Sequence, residues 1–66
     1  MIKDEKSLNQ LKKILEKLDD AINDIDGAYT QNFHYDSEVA RIGDLILASR
    51  NRLKNFIDLI EEQLKC

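Results

Sequence analysis

A chain of 66 residues, 42% hydrophobic and 35% charged with a net charge of −3, has material for one small domain. Below about 70–80 residues a core alone rarely supplies more than ~3–5 kcal/mol, so a staple is expected. The single cysteine, Cys66, excludes an internal disulfide, no apolar run approaches the ~20 residues of a membrane span, and the acidic balance argues against duplex binding driven by bulk charge. A lone thiol suits a reducing compartment, and the expected location is cytoplasmic.

Residues 1–6 form a charged lead-in. Ser7-Leu8-Asn9-Gln10 has the form of a capping box, and Asp4 is an alternative cap one turn earlier. From there Leu8, Leu11, Leu15, Leu18, Ile22, Ile25 and Tyr29 recur at alternating three- and four-residue spacing, the signature of an amphipathic helix. Ile14, Ala21 and Ala28 widen one flank of it. Gly27 is the expected stop, because glycine enters the left-handed cap conformation without a Cβ clash. The predicted first helix therefore covers about residues 5–26, with a continuation to Tyr29 as the alternative.

Residues 27–36 show neither helical nor strand period and read as a loop. Tyr29, Phe33 and Tyr35, three of the four aromatics, gather there. They are expected to fold over the bundle end as a plug, or else to anchor a partner, since aromatics dominate interface hot spots. His34 with Asp36 and Glu38 is the one cluster resembling metal ligands. A site needs three or four converging ligands and there is no second histidine, so neither metal nor other cofactor is expected. Ser37, Ser49 and Cys66 have no histidine at a useful spacing, and no catalytic residue is assigned.

Asp36 or Ser37 caps a second helix, predicted over about residues 37–65. Its main stripe is Val39, Ile42, Ile46, Leu53, Phe56 and Ile60, interrupted at Ser49. Leu45, Ile57, Leu59 and Leu64 flank that stripe and widen the apolar arc to roughly 160°, more than one neighbouring helix covers. At 1.5 Å per residue this helix spans roughly 43 Å against roughly 30 Å for the first, which predicts an overhanging last turn carrying Leu59, Ile60 and Leu64.

The expected architecture is all-α: an antiparallel two-helix hairpin that associates into a four-helix bundle as a homodimer, or docks on a helical protein partner. Its association face is predicted at Leu11, Leu15, Leu18, Ile22, Ile46, Leu53, Phe56, Leu59, Ile60 and Leu64. The function this implies is non-catalytic protein–protein interaction, as a small adaptor, co-chaperone or inhibitor. A second class is nucleic-acid binding, with Lys6, Lys13 and Lys17 (and Lys3 before them) along the first helix, or the run Arg50, Arg52 and Lys54, contacting phosphates. In size and pattern the chain resembles the Rop family of plasmid copy-number regulators, short acidic helical hairpins, and that resemblance implies a dimer binding paired RNA loops.

Overall fold

The computed structural model describes residues 4–65, so Lys3 and Cys66 lie outside the described residues. Asp4 opens the first helix, α1 (Glu5–Gln31), by accepting a hydrogen bond at 2.9 Å from the Ser7 N–H. The cap is thus Asp4, not the box beginning at Ser7. A carboxylate at that position satisfies one of the unpartnered N–H groups of the first turn and complements the positive end of the helix dipole. Hydrogen bonding from Ser7, from its side chain and then its backbone, holds the Asp4 carboxyl below the usual carboxylate range.

Contrary to the expected stop at Gly27, α1 continues to Gln31. Gly27 keeps a helical backbone, with no positive φ at either glycine. The reason is packing. Tyr29 extends the apolar row for one more turn and lines the inter-helix crevice with Val39 and Gly43, and that burial outweighs the ~1 kcal/mol a helical glycine costs. Thr30 Oγ1 donates back to the carbonyls of Asp26 and Gly27, at 3.1 Å each. The helix ends where the N–H groups of Asn32 and Phe33 both donate to the Ala28 carbonyl, at 2.9 and 3.1 Å.

Residues 32–36 make the reversal. The Asp36 N–H donates to the Phe33 carbonyl at 2.9 Å, and Tyr35 sits in the left-handed region at φ 74°. Asp36 then caps the second helix, α2 (Ser37–Lys65): its Oδ1 accepts from the N–H groups of Glu38 and Val39 at 2.9 and 3.2 Å. Phe33 is 48% exposed and Tyr35 90%, so neither plugs the end of the hairpin.

The two helices form an antiparallel hairpin whose Cα atoms span 47 × 15 × 14 Å. Its tightest packing lies at the end away from the turn, where Leu8, Ile57 and Ile60 are buried with Leu11, Leu15 and Leu53 against them. No overhang exists there among the described residues. The extra turn of α1 brings it to 27 residues against 29, and Ile60 is fully covered.

Two outcomes follow from these helix ends. A Cβ at Gly27 meets nothing within 4 Å, so Gly27→Ala raises the thermal stability, by up to ~1 kcal/mol in a denaturation curve. The depressed Asp4 titration means that the cap contribution is present above the ordinary carboxyl range and is lost as pH falls through the lowered pKa. The Ser7 amide resonance should move in that acid range in the parent chain and stay still in Asp4→Asn.

Candidate association face

The α2 row that meets α1 is not the one its apolar pattern favours. Val39, Gly43, Ile46, Arg50 and Leu53 are partly buried, and Ile57 and Ile60 fully so. Compared with the expected stripe, Gly43, Arg50 and Ile57 take the places of Ile42, Ser49 and Phe56, a rotation of the helix by roughly 50° at 100° per residue. Gly43 explains part of it. It faces Ile25, whose Cγ2 a Cβ built at Gly43 would meet at 3.7 Å, an ordinary contact, so the seam takes a small residue at this position. Arg50 explains more: from the seam its Nε reaches Asp19 Oδ1 at 2.8 Å, while its Nη1 donates to Asn51 Oδ1 at 3.3 Å. In α1 the expected row holds, with Leu8 buried and Leu11, Leu15, Leu18, Ile22, Ile25 and Tyr29 partly buried.

Cross-helix ion pairs identify the two sides of this seam. Lys12 Nζ meets Glu61 Oε2 at 3.5 Å, and Asp19 holds Arg50. Lys12, Asp19 and Asp26 therefore share a side with Ala40, Leu47, Lys54 and Glu61. The opposite side must then bring the α1 row Ser7, Ile14, Ala21 and Ala28 next to the α2 row Ile42, Ser49, Phe56 and Gln63. Leu45 and Leu59 lie one step farther round α2. Ile14, Ile42, Leu45, Phe56 and Leu59 are each 41–62% exposed. One side of the hairpin thus carries the ion pairs, with Leu47 46% exposed among them, and the other is largely apolar and uncovered.

The predicted association residues divide accordingly. Leu11, Leu15, Leu18, Ile22, Ile46, Leu53 and Ile60 pack between the two helices, whereas Phe56, Leu59 and Leu64 are exposed. Sequence reasoning missed Ile14, Ile42 and Leu45 as members of the exposed side. The spacing shared by Ile42, Leu45, Phe56 and Leu59 carried that signal.

The polar candidates are dispersed. The guanidinium of Arg50 is held by Asp19, and Lys54 Nζ lies 2.6 Å from Asp58 Oδ1, so the basic run on α2 is largely neutralised. Lys6, Lys13 and Lys17 are exposed on α1 in a row that continues into Asp20 and Asp24. His34 stands on the turn with its ring 4.6 Å from that of Tyr35. Among the described residues no three His, Cys, Asp or Glu side chains converge as a metal site would require. No helix among them is long and apolar enough to cross a membrane.

Removing the partner of a half-buried guanidinium exposes the value of the pair. Asp19→Ala should cost roughly 1 kcal/mol in a urea melt, against less than ~0.5 kcal/mol for the exposed control Glu16→Ala. Compared with protein-family models, curated proteins and solved structures, the chain matches none.

Proposed function

We propose that the chain is a non-catalytic helix-association module. One side of its hairpin is solvated and ion-paired. The other seats on further helices, either in a self-associated four-helix bundle or over the apolar helix of a partner. The observation that carries this reading is the uncovered row of Ile42, Leu45, Phe56 and Leu59 with Ile14 beside it. Five large apolar side chains on one side of so small a hairpin are a liability in water and an asset in an interface.

The meagre core supports the same reading. Among the described residues only Leu8, Ile57 and Ile60 are buried, and they cluster at one end. Each fully buried side chain of this size contributes about 1.5–3 kcal/mol, so covering the half-exposed row adds a contribution comparable to the core itself. The phosphate-binding alternative draws on a different surface and loses Arg50 and Lys54 to their acidic neighbours.

Substitution at the two kinds of apolar position separates association from folding. Leu45→Lys with Leu59→Lys should retain the helical circular dichroism while raising the dissociation constant at least tenfold, about 1.4 kcal/mol. Ile57→Lys should instead abolish the helical signal, because it places a charge in the seam. A doubly substituted chain that associates as the parent does would remove the proposal.

A further inference from the structure

We infer that the occupant of the apolar side is a second copy of this chain, related by a two-fold axis across the helices so that α2 lies antiparallel on α2 and α1 antiparallel on α1. This rests on the association reading above and names its partner.

The outward row of α2 is the first argument. In order it reads Glu38, Ile42, Leu45, Ser49, Arg52, Phe56, Leu59, Gln63. That is one polar residue, two apolar, two polar, two apolar, one polar, the same in either direction. Set antiparallel on itself about the midpoint between Arg50 and Asn51, the row places Ile42 against Leu59 of the copy and Leu45 against Phe56. Ser49 then faces Arg52, and Glu38 faces Gln63. Every apolar residue meets an apolar one, a match a foreign helix does not require.

The same axis suits α1. The hairpin register, fixed where Ile25 approaches Gly43, puts the Lys17–Leu18 peptide level with that midpoint. About this level Ile14 opposes Ala21 of the copy, large against small, and Ser7 opposes Ala28, both small, which lets two helices close together. Charge follows the same symmetry. The outer rim of α1 is basic at Lys6, Lys13 and Lys17 and acidic at Asp20 and Asp24, changing sign close to the axis, so Lys13 falls within a turn of Asp20 and Asp24 of the copy, while Lys17 lies beside its own twin. On the rim of α2, Arg41 falls within a turn of Glu62 of the copy. A two-fold along the helices would instead stack α1 on α2 of the copy and lose both self-matches. The area is adequate as well: a hairpin with Cα extents of 47 × 15 Å offers a side close to the ~800 Å² per partner of an ordinary stable interface.

Glu38 and Gln63 report the geometry without touching the apolar rows. In a Cys66→Ser background, Glu38→Cys and Gln63→Cys chains are oxidised separately and mixed, and the Cys66→Ser chain is weighed by sedimentation. A dimeric mass, with cross-links in the mixture and none in either chain alone, is expected, since each cysteine lies roughly 37 Å from its own twin at 1.5 Å per residue. A dimer in which the mixture gains no cross-link, or in which each chain cross-links to itself, overturns the antiparallel pairing. A monomer at high micromolar concentration overturns self-pairing altogether. In that case the apolar dye anilinonaphthalene sulfonate tests the underlying reading. Dye binding that is lost in Leu45→Lys with Leu59→Lys keeps an association face for a foreign helix, and no binding at all removes both.

Discussion

The hairpin is governed by a mismatch between the width of an apolar arc and the reach of one neighbour. A helix packed against a single partner covers a narrow stripe, whereas α2 carries about twice that. Whichever row α1 covers, another is left. The row it takes holds a glycine, an arginine and the two best-covered isoleucines, Ile57 and Ile60. The row it leaves holds Ile42, Leu45, Phe56 and Leu59, four large apolar side chains that stay 41–62% exposed.

Arg50 shows how a polar residue settles such a competition. Among leucines and isoleucines it has no apolar partner to gain, yet at the edge of the seam its stem packs while its guanidinium reaches Asp19. Together with Lys12 and Glu61 it gives one side of the hairpin a set of paired charges. The exposed Lys12–Glu61 pair contributes little to stability, and the half-buried Arg50–Asp19 pair about 1 kcal/mol. Their effect is to mark that side as the solvated one and to leave the other without charges between its apolar residues, apart from Arg52.

Much of the fold was legible in the residues. Unbroken three-four spacing from Leu8 to Tyr29 defined α1, Asp36 marked the start of α2, and the absence of proline excluded a break in either helix. What escaped was decided by contacts between distant residues. Gly27 is a stop on local grounds alone; Tyr29 packing beside Val39 carried the helix past it. The rows beginning at Ile42 and at Gly43 have the same period, and hydrophobicity favours the former. Only the approach of Ile25 to Gly43 and the reach of Arg50 to Asp19 distinguish them. The candidate face was therefore visible as excess apolar width, and its location on one side of the hairpin was not.

The tight reversal at residues 32–36, with Tyr35 held left-handed, has a consequence for dilution. Because α1 and α2 are tethered by so short a connection, each sees the other at an effective concentration on the order of millimolar or above, however dilute the protein. The seam between them is in that sense insensitive to abundance. Any contact made through the side of Ile42, Leu45, Phe56 and Leu59 has no such tether, and its occupancy follows the amount of chain or partner present. One covalent turn thus separates a contact that dilution leaves closed from any that another chain would make.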